Sequence, residues 1–88
     1  MKDLIFPSNA TLEDAVLEAL ASFNGRATTK QINLKVIELL ALPTEVVELE
    51  DESGLGTKLD YRLRWCRTNL KSKGLIINEK KGTWCLVR

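Results

Sequence analysis

The stretch Thr57-Lys58-Leu59-Asp60-Tyr61-Arg62-Leu63-Arg64-Trp65-Cys66-Arg67-Thr68-Asn69-Leu70-Lys71-Ser72-Lys73-Gly74 decides the fold. Leu59, Leu63, Cys66 and Leu70 fall within a narrow arc of a 3.6-residue period, so the segment reads as a helix with one buried stripe. Thr57 stands where an N-cap belongs, and Asp60 suits the positive end of the helix. Gly74 closes it, because glycine accepts the left-handed conformation that ends a helix. Opposite the stripe the same wheel places Tyr61, Arg64, Trp65, Thr68, Lys71 and Ser72. Arg67 lies on the flank nearer the core, with Arg62 and Lys73 on the other flank.

Downstream, Leu75-Ile76-Ile77 and Thr83-Trp84-Cys85-Leu86-Val87 read as two strands, joined by a turn over Asn78 to Gly82 that carries Lys80 and Lys81. Trp84 shares strand parity with Leu86, which points both at the core. Upstream, Thr11 with Asp14 predicts a capping box opening a first helix, and Leu12, Ala15, Val16, Ala19, Leu20 and Phe23 recur along one face of it. Asn24-Gly25 ends that helix, and Arg26-Ala27 is a stub of extended chain. Thr28 with Gln31 repeats the capping pattern before the stripe Ile32, Val36, Leu39 and Leu40, which Pro43 ends. Thr44 to Leu49 has room for one further short turn. The order helix, stub, helix, loop, helix, hairpin predicts an α+β fold, mainly α: a winged helix of three helices and a C-terminal β-hairpin wing. With 88 residues the chain holds one domain, 1–88.

Charge is divided sharply along the chain. Residues 1–53 carry ten acidic and four basic groups, net −6, whereas residues 54–88 carry nine basic and two acidic, net +7. A polyanionic partner for the second half is one reading, and a segregated solvated surface is the other. The acidic segment Glu45 to Gly54 reads as a surface loop; it serves solubility, or it keeps phosphates away and orients docking. No apolar run approaches the roughly 20 residues that span a bilayer, and no basic-then-apolar leader opens the chain. A soluble cytoplasmic protein without a membrane partner is therefore expected.

These features bear on chemistry as well. There is no histidine, which removes the usual general base and the commonest metal ligand. Cys66 and Cys85 lack a Cys-x-x-Cys spacing, so no metal site is expected, and each reads as a reduced, small hydrophobic residue. Carboxylates cluster only in the 45–52 segment, where nothing would hold them in catalytic geometry. No enzyme, no catalytic residue and no cofactor is expected.

A helix presented to solvent after a helix and a loop fits the major groove of DNA, where guanidinium and hydroxyl groups meet base edges and phosphates. The expected contact set is Lys58, Tyr61, Arg64, Trp65, Arg67, Thr68 and Lys71 on a recognition helix of about 58–73, with Lys80 and Lys81 from a wing at 78–82 reaching the backbone or minor groove. Arg67 and Lys71 suit phosphates better than base edges. Tyr61 and Trp65, four residues apart, either stack on one another or pack on the hairpin. The competing reading is a protein-interaction or dimerisation winged helix that binds no DNA, since fold alone does not fix function. The oligomeric state is not legible.

The stretch from Tyr61 to Ile76 resembles the N-terminal domain of Mrr-type restriction proteins. The resemblance rests on Arg62-Leu63 and Trp65-Cys66, the closing Gly74-Leu75-Ile76, and the hairpin mark Gly82-Thr83-Trp84. Leu42-Pro43-Thr44-Glu45 and Ser53-Gly54 look like that family's loop marks. The resemblance implies a winged-helix module that binds double-stranded DNA within a restriction system and is joined, in a parent protein, to a nuclease domain. The family's nuclease needs an acidic residue with a Gln-x-Lys or Glu-x-Lys element on a sheet core. The local match, Asn78-Glu79-Lys80-Lys81, sits in a hairpin turn without room for that core. Whether Arg62 and Trp65 serve structure or function stays open at this point, as does whether the chain is a whole protein or an excised domain.

Overall fold

The computed structural model describes residues 6–52, 54 and 56–87. The first helix, α1 (Asn9–Ser22), begins one turn before the Thr11 opening that the sequence suggests. Ser8, not Thr11, is its cap: the Ser8 hydroxyl accepts from the Thr11 backbone N–H at 3.2 Å. The apolar period starts only at Leu12, so the polar first turn carries no hydrophobic signal. The stub is a strand, β1 (Arg26–Thr28), and α2 (Thr29–Leu39) opens on the expected capping box. There Gln31 N–H donates to Thr28 Oγ1 at 3.2 Å, and Thr28 N–H donates back to Gln31 Oε1 at 2.9 Å. α2 stops before Pro43 because Ala41 turns left-handed, with φ of 49°. A single turn, α3 (Thr44–Val47), follows.

The decisive helix is α4 (Lys58–Ser72), capped by the Thr57 hydroxyl, which accepts from Asp60 N–H at 3.2 Å. β2 (Ile76–Lys80) and β3 (Thr83–Leu86) form the wing. β2 runs through Lys80, so the turn is tighter than the Asn78–Gly82 expectation and leaves Lys81-Gly82 between the strands. A register shift between Asn78 and Lys80 makes this geometry work. The Asn78 side-chain amide donates to the carbonyls of Lys80 and Thr83, both at 2.8 Å, and so satisfies backbone that the irregularity leaves unpaired.

The sheet is antiparallel with the order β1-β3-β2, so the three-residue β1 is the third strand of the wing sheet rather than a stub. The fold is α+β and mainly helical, as a winged helix requires. Its core is the expected one. Leu12, Val16, Leu20, Ile32, Val36, Leu59, Leu63, Cys66, Leu70 and Ile76 are buried together, and Trp84 and Leu86 pack against them. α1 packs on both α2 and α4, and β2 packs on α4. One arc of α4 is therefore left facing outward. Ser53, half of the Ser-Gly loop mark, lies outside the described residues, and among those described no helix is long and apolar enough to cross a membrane.

Candidate nucleic-acid interface

Helix α4 and its C-cap carry five basic residues after the first turn, and the neighbouring elements treat them differently. On the flank toward α1, Arg62 Nη1 donates to Asn9 Oδ1 at 3.1 Å, and its guanidinium lies 5.5 Å from the centroid of the Phe6 ring. Lys73, at the C-cap, pairs with Glu13 at 2.7 Å, and Asn69 leans on the same carboxylate at 3.5 Å. On the opposite side Arg64 and Lys71 are exposed and form no ion pair among the described residues. Lys80 and Lys81 at the wing tip are likewise exposed and unpaired.

The outward arc has a shape of its own. Tyr61, Arg64, Trp65 and Thr68 line a shallow groove of about 380 Å³ centred opposite the buried stripe. Tyr61 and Trp65 touch edge-to-face, with centroids 6.3 Å apart and planes at 72°. Even so, they remain 47% and 51% exposed. The Thr68 hydroxyl donates to the Arg64 carbonyl one turn back at 3.1 Å, a local bond common to helical threonines.

Two residues of the expected contact set, Arg67 and Lys58, are engaged by neighbouring side chains. Arg67 is only 7% exposed, so it is no solvent-facing phosphate ligand. Its Nη1 donates to Asn33 Oδ1 on α2 at 2.9 Å, and its guanidinium lies 5.8 Å from the centroid of the Trp84 ring. The Trp84 indole N–H in turn donates to Thr29 Oγ1 at 3.0 Å. Arg67 thus links α4, α2 and β3. Burial holds its pKa below the ordinary guanidinium range, but a guanidinium remains charged at neutral pH. Its Nε is buried without a partner among the described residues. Lys58 is half-buried: its Nζ sits 5.2 Å from the Phe6 ring centroid, in a groove shared with Asp51, Glu52, Tyr61 and Arg62. The acidic loop therefore lies beside the basic start of α4.

Some neighbours of the wing escape a reading of the sequence. Arg26 pairs with Glu79 across the sheet, so the Glu79-Lys80-Lys81 run is structural on its acidic side. Arg26, Thr28, Gln31, Lys80 and Thr83 also line a groove of about 280 Å³ between the wing and the first turn of α2. The signal that could have found it is the Thr28–Gln31 cap, which fixes where α2 begins. Cys66 is buried, and the loss of water together with Glu13 pushes its thiol up to about 11. Cys85 is half-buried, and both cysteines are free thiols. Among the described residues no three His, Cys, Asp or Glu side chains gather as a metal cage.

Three packed helices followed by a small antiparallel sheet at the C-terminus give the arrangement of a winged helix. The Mrr N-terminal domain model matches residues 10–87, and the chain belongs to that family, the N-terminal domains of Mrr-type restriction proteins. The match is to that N-terminal domain and not to a nuclease domain. No match is found among curated proteins or among solved structures.

Proposed function

We propose that this domain binds double-stranded DNA, with the outward arc of α4 in the major groove and the wing tip on the backbone. The observation that carries the reading is the sorting of cations just described. Basic residues on the inner flanks are matched by Asn9, Glu13, Asn33 or an aromatic ring, whereas Arg64, Lys71, Lys80 and Lys81 are left to the solvent. Unmatched cations repel one another in the free protein and gain most from a polyanion. Membership of the Mrr N-terminal family supports a targeting role within a restriction system, with catalysis supplied by a nuclease domain of the parent protein.

Fluorescence anisotropy with a labelled duplex tests this. Four phosphate-contacting cations predict a slope of about −3.6 in log affinity against log salt. Arg64→Ala and Lys71→Ala should each weaken binding about five-fold while leaving the melting temperature unchanged. Salt-independent affinity, or unchanged affinity in both variants, removes α4 from the interface.

A second reading has its own observation. Tyr61, Trp65 and Arg64 are the residue types that anchor protein interfaces, and here they stand exposed together. A tight dimer in sedimentation, indifferent to added duplex, would favour that protein-docking role.

A further inference from the structure

We infer that the α4 groove reads a thymine through its C5-methyl group, with Tyr61, Trp65 and Thr68 as the specificity-determining residues. The inference rests on the duplex-binding reading above. It starts from a mismatch: the arc that should meet polar base edges is lined mainly by apolar surface. Two aromatic rings stand half exposed one turn apart and sit at the centre of the arc rather than on its rim. Thr68, the third member, has turned its hydroxyl back onto the Arg64 carbonyl at 3.1 Å, which leaves its methyl group as the part offered to the groove. Arg64 offers a guanidinium there, whereas Tyr61 and Trp65 each carry a single donor on an otherwise apolar ring.

Base edges in the major groove are otherwise donors and acceptors; the thymine methyl is their apolar group. Setting the ring faces of Tyr61 and Trp65 and the Thr68 methyl against the N7 and O6 of guanine, or the amino group of cytosine, would strip those atoms of water without replacing the lost hydrogen bonds. Against a thymine methyl the same surface loses nothing and buries one carbon more. Arg64, on the same groove, is placed to hydrogen-bond a neighbouring base or phosphate and hold the register.

The test uses the whole chain and a duplex library with a randomised core. Sites are enriched by repeated binding and then resynthesised with uracil in place of each thymine, which removes only the methyl. The expected result is one thymine position shared by the enriched sites, where uracil weakens binding roughly four-fold, the ratio that matches one buried methyl. Trp65→Ala and Thr68→Ser should bind thymine and uracil duplexes equally. Thr68→Ser keeps the hydroxyl and its helix bond, so a lost preference there reports the methyl rather than the fold. Salt-sensitive binding with no shared thymine, or with equal affinity for thymine and uracil, overturns this inference and leaves the duplex reading standing. Undiminished discrimination in both variants also overturns it, because the methyl is then read elsewhere. No binding to any duplex overturns both.

Discussion

The two sides of α4 are built from the same residue types and end in opposite states. Facing α1 and α2, Arg62, Arg67 and Lys73 are each held by a partner contributed by another element; facing outward, Arg64 and Lys71 are held by none among the described residues. Counting basic residues along the helix would score the sides alike. What separates them is whether the neighbouring helix offers an oxygen or a ring within reach: Asn9 and Glu13 on α1, Asn33 on α2. A cation's role in this molecule is therefore set by the element opposite it rather than by its own place in a run of charge.

Substitutions that cross this divide should behave differently on its two sides. The largest effect belongs to the buried stripe. Leu63→Ala leaves a cavity in a fully buried site and should cost about 3 kcal/mol in urea unfolding. An exposed change such as Arg64→Ala should cost stability almost nothing in the same assay. Next comes Asn33→Ala, which strands Nη1 of a guanidinium whose Nε already lacks a partner among the described residues; a loss of about 1–3 kcal/mol is expected. Asn33→Asp restores an acceptor and should recover most of that loss, whereas a fully stable Asn33→Ala would mean that the Arg67 link is incidental.

Cys66 gives a smaller effect that appears only in alkali. Its folded thiol titrates near 11 against the ordinary 9.0, so the folded state holds a proton that the unfolded state has released. The stabilisation this gives is complete below about pH 9 and is lost as pH rises toward 11. Cys66→Ala should lower stability overall yet flatten that alkaline decline, as urea melts at pH 8 and pH 10.5 would show. The smallest effect separates the two lysines near the helix end. Lys73→Gln breaks a partly exposed ion pair and should cost at most about 0.5 kcal/mol of stability with little change in duplex affinity. Lys71→Gln should do the reverse. Equal behaviour of the pair would erase the distinction between the two sides.

Much of this fold is legible from local pattern, and the reasons are specific. The stripe Leu59, Leu63, Cys66 and Leu70 is periodic, and the caps at Thr28 and Thr57 act within three residues, so both can be read off a short window. The start of α1 is not, because Ser8 caps a turn with no apolar residue in it. β1 is three residues long and carries no alternation worth the name; its identity as a strand comes from β3, nearly sixty residues away in the chain. The outward arc follows from the wheel, which is why Tyr61, Arg64, Trp65 and Thr68 come together as expected. Arg67 does not follow from it. One position off the stripe, it turns inward only because Asn33 and Trp84 stand ready to receive it, and no window around residue 67 contains either. Lys58 likewise meets a ring, Phe6, that lies far off in the chain.

One backbone bond shapes how this molecule can meet anything at all. The Thr29 N–H, at the head of α2, donates to the Gly82 carbonyl in the wing turn at 3.0 Å. Gly82 holds a positive φ of 79° at that tip. The wing is thus no loose whisker sweeping for a surface; it is clasped at its end to the helix beside it. The backbone of Lys80 and Lys81 is therefore held at a fixed offset from the first turn of α2, so little of its freedom would be lost on meeting a partner. The fit must then come from the other party. A stiff partner whose spacing misses that offset gains few of these contacts, while one that bends to meet it gains them together.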